Sequence, residues 1–308
     1  MKKAFLLGIA GSFFFAFTFI LNRSMNLSGG NWIWSASLRY LFAFPIMALV
    51  IRQKYGFQNI HTEIRMHWKQ WMLWSIIGFG LFYAPLAFAG DNGESWLIAA
   101  SWQITIVMGI ITAPLFGKKI PYRNLFAAGI ILAGVFLLQL QNVSGASNNK
   151  LTVILLPILV AATAYPLGNR KMMELCKDRI TTLERVYGMI LCSLPFWCLL
   201  SLFGFINVGF PTNSQLLQSF LVALFSGIVA TLLFFKATDN VKHNQKQLAV
   251  VESTQSGEVL FTLLGGILLL GDPLPDLTGF AGILLIITGM ILNSLLSSQK
   301  ISANKKSG

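Results

Sequence analysis

Ten apolar stretches, each about 20 residues long, constrain this chain more than any other feature. They lie near 4–21, 32–51, 70–90, 95–116, 122–140, 151–169, 184–205, 216–236, 248–270 and 277–296. An apolar stretch of this length crosses the hydrocarbon core of a bilayer as an α-helix. Charged residues make up only 11% of the chain, whereas a soluble domain is about 25% charged. The sequence therefore predicts an all-α, polytopic membrane protein of about ten transmembrane helices.

The basic residues indicate how these helices are oriented. If the N-terminus is placed inside, every inner segment carries more Lys and Arg than either outer neighbour, and the outer segments hold only Arg23 and Lys150. Cytoplasmic loops of membrane proteins are enriched in Lys and Arg in this way. The sequence therefore predicts a multi-pass protein of a bacterial cell membrane with both termini in the cytoplasm. We expect the first helix to be retained rather than cleaved as a secretory signal.

Composition and motifs exclude several classes of function. The net charge of +12 is spread over short loops and forms no basic helix face, so we expect no nucleic-acid partner. The expected partners are the lipid bilayer and a small-molecule substrate, bound by a monomer or a homodimer. Three cysteines without metal-ligand spacing predict no metal site and no cofactor. The absence of a nucleotide-binding motif and of a deep catalytic cluster argues against an ATP-driven pump and against an enzyme, and predicts no catalytic residues.

The second half of the sequence repeats features of the first. Asn22-Arg23 correspond to Asn169-Arg170, Arg39 to Arg185, Asp91-Asn92 to Asp239-Asn240, Ser101-Trp102-Gln103 to Ser253-Thr254-Gln255, and LFGKKIP at 115–121 to LLGDPLP at 269–275. These matches keep their order at offsets between 146 and 154 residues. Because five helices per repeat is an odd number, the repeats must have opposite orientations, as in many secondary transporters. We predict a first five-helix repeat at 1–148, a second, inverted repeat at 149–297 and a disordered cytoplasmic tail at 298–308; the alternative is that the duplication served folding alone.

The ninth apolar stretch contains two carboxylates, Glu252 and Glu258. A charged side chain at this depth costs about 2.5–3.5 kcal/mol on insertion scales, so it should face protein or water rather than lipid. A carboxylate in apolar surroundings takes up a proton more easily, and a cationic substrate would compete with that proton. Glu258 and Glu252 are therefore the predicted proton-coupling residues. The alternative is that one of them forms a structural ion pair with Arg39 or Arg185.

Further polar and aromatic residues are candidates for lining a substrate cavity. Gln and Ser can hydrogen-bond a substrate, and Trp offers a face to an aromatic or cationic group; the alternative is hydrogen bonding between helices. Tyr83 could close an outer mouth or anchor a helix end in the membrane interface, and Tyr165 precedes Pro166 at an expected kink. The predicted substrate-binding residues are Glu258, Glu252, Gln255, Ser256, Gln103, Ser101, Trp102, Tyr83 and Tyr165.

Two segments near the N-terminus resemble a known family. They are GIAGSFFFAFTFILNRSM at 8–25 and WSASLRYLFAFP at 34–45. With the ten-helix pattern, they make the chain similar to the multidrug resistance efflux transporters, within the EamA-like ten-helix type of the drug/metabolite transporter superfamily. The resemblance covers about 4–296. It implies a central cavity between the halves, lined by helices one, three, four, six, eight and nine, and export of small molecules.

The small four-helix exporters of this superfamily carry a membrane glutamate in their first helix. That residue has no counterpart here, because the polar residues of the first apolar stretch are Ser12, Thr18 and Asn22. We expect a secondary active exporter of small molecules, such as drugs or cationic or amphipathic metabolites, that works by alternating access and is coupled to protons. The alternatives are an amino-acid or other metabolite exporter or exchanger, and a non-transporting membrane scaffold or sensor subunit.

Overall fold

The computed structural model describes residues 1–117, 120, 122–143, 148–177, 179–241 and 243–304. For residues 122, 140–143, 148–151, 245, 246, 249 and 298–304 it describes the backbone alone. Ten long helices in this part of the chain follow the ten apolar stretches. They are α1 (Lys2–Leu27), α2 (Trp32–Lys54), α3 (Trp68–Gly90), α4 (Ser95–Ile111), α5 (Tyr122–Val143), α6 (Asn148–Cys176), α7 (Thr182–Val208), α8 (Asn213–Asp239), α9 (Val250–Leu270) and α10 (Leu277–Asn304).

The prediction of an all-α polytopic membrane protein is confirmed. Within the described ranges, eight helices are long and apolar enough to cross a membrane, and α4 and α5 contain shorter apolar helices. Helix α4 is shorter than the predicted stretch because it is interrupted at Gln103 and ends in a 3₁₀ turn, Ala113–Phe116. A short helix, Gln58–Met66, connects α2 to α3, and the helix that contains α9 already begins at Gln245.

Polar side chains start several helices by accepting hydrogen bonds from free backbone N–H groups. Asn31 accepts from Ile33 N at the start of α2, at 2.9 Å. Thr181 and Glu184 form a capping box at the start of α7, in which each side chain accepts a hydrogen bond from the other residue's backbone N–H. Caps of this kind contribute about 1 kcal/mol each. They define where these helices begin.

Two irregularities recur in corresponding helices of the two halves. Helices α3 and α8 each contain a π-helical turn, Ile76–Gly80 and Ala223–Val229. Helix α4 is broken at Gln103 and α9 at the 3₁₀ turn Thr254–Ser256. Interruptions of this kind mark places where the regular hydrogen-bond ladder gives way, often at functional sites.

Glycines end the fourth helix of each half. Gly117 follows the 3₁₀ turn after α4 and Gly271 follows α9, both at φ +66°. A residue with a Cβ is strained in this left-handed conformation, so glycine is the residue that allows the chain to turn here. The segments LFGKKIP and LLGDPLP therefore turn at equivalent points. Lys118, Lys119 and Pro121 of the first segment lie outside the described residues.

The packing of the helices also has corresponding pairs in the two halves. Helix α1 packs on α8 and α9, as α6 packs on α3 and α4; α2 packs on α8 as α7 packs on α3. The pairs α2–α7 and α5–α10 join the halves directly, and α5–α10 is the most extensive helix pair. The close approach of α5 and α10 requires glycine, because a Cβ on Gly134 would lie 2.6 Å from the carbonyl oxygen of Gly282.

Contacts between helix ends place the loops on two sides. Arg23, at the end of α1, lies near Asp272, which follows α9, while Arg179, after α6, pairs with Glu63 between α2 and α3. The end of α6 is thus on the side opposite the end of α1. We call the two sides the Asp272 side and the Arg179 side.

The outward surfaces of the helices are apolar, as a lipid-facing surface must be. Leu268 is 78% exposed and Ile206 71%, which in a soluble protein would be an unfavourable apolar patch. Helix α10 continues to Asn304, so the part of the predicted disordered tail at 298–304 is helical. Residues 305–308 lie outside the described residues.

Candidate functional site

Arg39 lies well inside the membrane-spanning part of α2. It is the eighth residue of the helix, about 10 Å from its start at 1.5 Å per residue. Its guanidinium donates to Thr18 Oγ1 at 3.3 Å and to Ser226 Oγ at 3.1 Å, and these two hydroxyls are hydrogen-bonded to each other. Hydroxyl groups of α1 and α8 therefore accept hydrogen bonds from the guanidinium of α2. Because α1 and α2 belong to the first half and α8 belongs to the second, this cluster joins the two halves.

Tyr83 of α3 covers one face of this guanidinium. Arg39 Cζ lies 4.1 Å from the centre of the Tyr83 ring, a distance at which the ring attracts a cation. The Tyr83 hydroxyl donates to Asn22 Oδ1 at 3.2 Å. Because Tyr83 is fully buried, it lies in the interior rather than at the membrane interface, next to the charge of Arg39.

Helix α9 is interrupted next to α1, just before Glu258. The 3₁₀ turn Thr254–Ser256 lets the Thr254 carbonyl accept a hydrogen bond from Ser12 Oγ at 2.6 Å. Gly8 allows this approach, because a Cβ there would lie 2.5 Å from Thr254 Oγ1. Glu258 then stands in the first turn after the break, about 12 Å from the start of α9 at Val250.

Glu258 is half-buried and interacts electrostatically with Arg39 of α2 and Tyr165 of α6. Among the described residues, no hydrogen bond or ion pair reaches its carboxylate, and its oxygens are more than 4.0 Å from the nitrogens of Arg39. The Glu258 carboxyl group and the Arg39 guanidinium therefore lie near enough to interact electrostatically but not in direct contact. The structural ion pair considered as an alternative role for Glu258 is not formed with Arg39.

Three aromatic residues from three helices stand beside these charges, and we call them the aromatic wall: Phe82, Trp102 and Tyr165. The Phe82 ring lies 5.0 Å from Trp102 and 4.8 Å from Tyr165, and the last two rings are 5.7 Å apart. Tyr165 remains 39% exposed although α3 and α4 pack against its helix. The aromatic wall combines an apolar surface with free ring area.

The two carboxylates predicted from the ninth stretch have different surroundings. Glu252 is exposed, with no charged partner among the described residues. Gln255 is also exposed, whereas Ser256 is buried and donates to Ser253 O at 2.8 Å. Glu258 is thus the carboxylate that lies near Arg39 and Tyr165.

The polar residues of α4 make hydrogen bonds within the protein. Ser101 is fully buried and accepts from Gln139 Nε2 of α5 at 2.9 Å. Gln103 is also buried and donates to Ala99 O at 3.0 Å, one turn back in its own helix. Ser101 therefore matches the alternative of hydrogen bonding between helices, whereas Gln103 bonds within its own helix. Trp102 between them is in the aromatic wall.

The Asp272 side is closed by polar contacts between the halves. Asp272 has 1% of its side chain exposed and accepts from Ser95 N at 3.0 Å and from Ser95 Oγ at 2.6 Å. Arg23 Nε lies 3.5 Å from its other oxygen. Trp96 Nε1 donates to Pro273 O at 3.1 Å. These contacts join the end of α1 and the start of α4 to the end of α9.

A second, half-buried carboxylate lies near this network. Asp91, directly after α3, accepts a hydrogen bond from Trp32 N at 2.9 Å. Burial raises the pKa of Asp91 to about 6, although the hydrogen bond from Trp32 and the charge of Arg23 act in the opposite direction. The carboxyl group of Asp91 therefore keeps its proton to a higher pH than a fully solvated aspartate does.

A cavity of about 1020 Å³ opens on the Arg179 side. It lies between the end of α2, the start of α7 and the end of α8, with Lys54, Thr182 and Lys236 in its lining. We call it the vestibule. The Asp272 contacts connect the helix ends on one side, whereas a large cavity opens on the other. The two sides therefore differ in their accessibility.

Arg39 is central to this site, although the sequence pattern suggests it only as an ion-pair partner for a glutamate. The signal was present: a charge well inside an apolar stretch is as costly as Glu258 and demands the same explanation. Other residues of the site, Thr18, Ser226 and Phe82, carry no such signal, because hydroxyl and aromatic residues are common in membrane helices.

Comparison with known proteins places this architecture in a family. Residues 2–299 match the model of the EmrE family, described as "Putative multidrug resistance efflux transporter". A Bacillus subtilis (strain 168) relative, "Uncharacterized protein YjlA", is 48% identical over 97% of this chain and 96% of its own length. A Shouchella clausii relative, "Uncharacterized 42.1 kDa protein in intracellular alkaline protease 3'region", is 45% identical over 84% of this chain and 70% of its own.

A solved crystal structure has the same fold. It superposes with a TM-score of 0.65 over 98% of this chain and 99% of the other, at 14% sequence identity. Likeness at this identity concerns the fold alone. The family match over nearly the whole length, together with the apolar helices, makes this a multi-pass membrane protein, and the chain belongs to the multidrug resistance efflux transporter family of the drug/metabolite transporter superfamily.

Proposed function

We propose that this protein is a secondary active exporter of small molecules that works by alternating access, with Glu258 as the group that exchanges a proton for substrate. The observation that carries the proposal is Glu258 itself: a carboxylate at mid-depth, near Arg39 and without a direct partner among the described residues. A carboxylate buried for structure alone is normally paired. An unpaired one is suited to binding a proton and a substrate in turn.

The two halves supply the motion that alternating access needs. The corresponding π-helical turns, helix breaks and helix pairs support two five-helix repeats of opposite orientation, 1–148 and 149–297. Arg39 and Glu258 belong to different halves, so a rearrangement of the halves changes the distance between their charges. The closed Asp272 side and the open vestibule support a state accessible from one side of the membrane.

The basic loops support the assignment of these sides. The short helix before α3 and the α6–α7 loop lie on the Arg179 side and contain Arg65 and Arg179. Cytoplasmic loops are enriched in such residues. The vestibule then opens to the cytoplasm, with both termini on that side, and the Asp272 side faces outward. An exporter that is open toward the cytoplasm in this state is open on the side from which it takes its substrate.

Reconstituted vesicles with a pH-sensitive dye in an acidic lumen test this proposal. Aromatic amphiphiles of charge +1, 0 (zwitterionic) and −1, together with tetraphenylphosphonium, are added outside, and we expect at least one to cause faster alkalinisation of the lumen than in protein-free vesicles, in which weak bases enter only by passive permeation. Glu258→Gln should abolish this response because it removes the proton site. Glu174→Gln, at an exposed residue of α6, is the control and should respond like the wild type.

Glu252→Gln decides between the two carboxylates of the ninth stretch. We expect it to retain the response, because Glu252 lies apart from Arg39. A Glu258→Gln protein that moves protons as well as the wild type would refute the role given to Glu258. A wild-type protein that gives no proton flux with any compound of the panel would refute proton-coupled export itself.

A further inference from the structure

We propose that the segment between the last turn of α2 and the first turn of α3 binds the headgroups of anionic phospholipids on the Arg179 side. This segment, 52–69, includes the short helix Gln58–Met66. We call its four exposed cations the basic rim: Arg52, Lys54, Arg65 and Lys69. The basic rim lies outside the candidate site, and its role does not depend on the exporter proposal.

Two cations of the basic rim stand where the lipid-facing surface ends. Arg52, in the last turn of α2, follows by three residues Leu49, which is 58% exposed. Lys69, in the first turn of α3, precedes by four residues Leu73, which is 52% exposed. Side chains at these spacings share a helix face, and α2 and α3 pack on each other. Both cations therefore lie about one helical turn beyond the acyl chains, at the depth of the lipid phosphates.

Two aromatic residues beside the basic rim have the placement of interface anchors. Tyr55 is 37% exposed and Trp68 is 55% exposed. Lys54 Nζ lies 5.4 Å from the centre of the Tyr55 ring, and Lys69 Nζ lies 5.6 Å from the centre of a Trp68 ring. Tyr and Trp are enriched at the headgroup level of membrane proteins. The two ammonium groups therefore belong to the same level.

The charge of the basic rim favours an anionic partner outside the protein. The one acidic residue of 52–69 is Glu63, which is 3% exposed and bound by Arg179. Among the described residues, no carboxylate oxygen lies within 4.0 Å of a charged nitrogen of the rim. The corresponding segment of the second half, 207–214, contains no charged residue. The accumulation of free positive charge is therefore specific to this loop.

A phospholipid matches both parts of this surface. Its phosphate oxygens accept hydrogen bonds from guanidinium and ammonium groups, and its acyl chains cover the apolar side chains of Leu49 and Leu73. Juxtamembrane clusters of Lys and Arg bind anionic lipids in this way. A soluble phosphate would satisfy the charges alone.

The opposite face of the short helix connects the basic rim to the second half. Ile60 is fully buried beside Gly188 of α7, where an added Cβ would lie 2.9 Å from Ile60 Cδ1. Glu63 accepts a hydrogen bond from Arg179 Nε at 3.0 Å. A headgroup bound to the rim therefore stabilises a helix that bridges the two halves, and bound lipid should raise the thermal stability of the whole protein.

Thermal unfolding in a neutral detergent tests this inference. Dioleoyl phosphatidylglycerol, dioleoyl phosphatidylcholine or inorganic phosphate is titrated into the purified protein. We expect a saturable rise in melting temperature with phosphatidylglycerol and at most about a third of that rise with the other two. One Lys or Arg near an anionic lipid surface contributes about a fivefold factor in affinity. The double variant Arg52→Gln, Lys69→Gln should therefore need about 25-fold more phosphatidylglycerol for half of the rise.

Lys171→Gln is the matched control. Lys171 pairs with Glu174 at 3.0 Å, so this variant loses a lysine but no free charge, and it should titrate like the wild type. Equal rises with phosphatidylglycerol and phosphatidylcholine would overturn the inference, as would a double variant that titrates like the wild type. An equal rise with inorganic phosphate would assign the rim to a soluble anion and overturn its assignment to lipid.

A second measurement keeps the inference testable if the double variant does not fold. Phospholipids with brominated acyl chains quench tryptophan fluorescence on contact. At low salt, brominated phosphatidylglycerol should quench the reconstituted wild type more than brominated phosphatidylcholine does. The difference should shrink as salt screens the charges, and Trp68→Phe should remove most of it. Equal quenching by the two lipids at low salt would overturn the inference. Neither measurement involves transport, so its outcome is separate from that of the exporter proposal.

Discussion

Asp272 is the residue whose replacement should most directly change which side of the protein is open. Its side chain is 1% exposed and receives two hydrogen bonds from Ser95, at 3.0 Å and 2.6 Å, beside Arg23 at 3.5 Å. These contacts close the Asp272 side and must be released for it to open. Asp272→Asn keeps a similar shape and an acceptor oxygen but removes the negative charge.

The size of the effect follows from the kind of contact that is lost. A hydrogen bond to a charged group contributes about 1.5–3 kcal/mol, and a neutral one about 0.5–1.5 kcal/mol. Loss of the charge therefore weakens each of the two Ser95 bonds by about 1 kcal/mol, and the Arg23 pair, which is partly exposed, adds little. A total of about 2 kcal/mol shifts the equilibrium toward opening of the Asp272 side about 30-fold.

Cysteine labelling measures this shift. Ile98, 2% exposed, lies in a small crevice under the Asp272 network together with Ser95 and Arg23. Ile98→Cys is introduced after replacement of Cys176, Cys192 and Cys198, and a membrane-impermeant maleimide is added from the Asp272 side. We expect Asp272→Asn to raise the labelling rate about 30-fold.

The neighbouring Asp276 provides a matched control. It accepts from Thr278 Oγ1 and Gly279 N at the start of α10, so Asp276→Asn makes the same chemical change in the same loop without touching Ser95. This variant should label like the parent protein. If Asp272→Asn labelled within about twofold of the parent while its thermal stability was unchanged, Asp272 would not control the closure of this side.

Three further predictions concern helix packing, the Arg179 side and pH. Gly134→Ala should lower the melting temperature in detergent, because its Cβ would lie 2.6 Å from Gly282 O and overpacking costs about 1–3 kcal/mol. Arg179→Ala should also lower it, because Glu63, 3% exposed, would lose its two hydrogen bonds from the guanidinium and remain buried without a partner. For Asp91 the expected effect depends on pH, because burial raises its folded-state pKa to about 6. Ionisation of Asp91 between about pH 4 and 6 therefore lowers the free energy of unfolding of the wild type. Asp91→Asn has no group to ionise at this position and does not show this loss. The stability advantage of Asp91→Asn should therefore grow by roughly 1–3 kcal/mol between pH 4 and pH 7, measured by thermal unfolding.

Each of these predictions has its own control. Gly129 lies on the same helix as Gly134 with no atom within 4 Å of an added Cβ, so Gly129→Ala should be neutral or slightly stabilising; equal losses for the two variants would contradict the packing argument. Lys171→Ala removes an exposed ion pair and should matter less than Arg179→Ala. A stability difference between Asp91→Asn and wild type that is constant from pH 4 to pH 7 would refute the burial of a charged Asp91.

The number and approximate positions of the helices could be predicted from the sequence, because the membrane requires an apolar stretch of set length for each crossing. Their ends were less predictable. Helix α1 continues to Leu27 and α7 to Val208, beyond the predicted 21 and 205, because a helix can extend past the hydrocarbon core once its first turns are formed. Helix α4 ends at Ile111, before the predicted 116, because the 3₁₀ turn Ala113–Phe116 replaces the last turn of α-helix.

The candidate site was predictable only in part. Glu258 stands out in the sequence because a charge at that depth is costly, and Arg39 does so for the same reason. The sequence alone cannot assign Ser101 to a cavity or to a hydrogen bond between helices. Because α4 is apolar on all sides, its sequence does not indicate which side faces the interior. Its bond to Gln139 comes from the approach of α5. The joining of Arg39 to Thr18 and Ser226 is set by tertiary packing across 187 residues of chain.

The π-helical turns of α3 and α8 have a mechanical consequence. Each wide turn holds one surplus residue relative to a regular helix, and a surplus residue can migrate along the backbone as i→i+5 bonds are exchanged for i→i+4 bonds, with little change in their total number. Migration rotates the portion of helix it passes by about 100°, the angle of one residue. Because each half has such a π-helical turn, one end of α3 or α8 can rotate while the other end stays in place. The side chains that these helices direct to the interior can then change without unfolding of either helix.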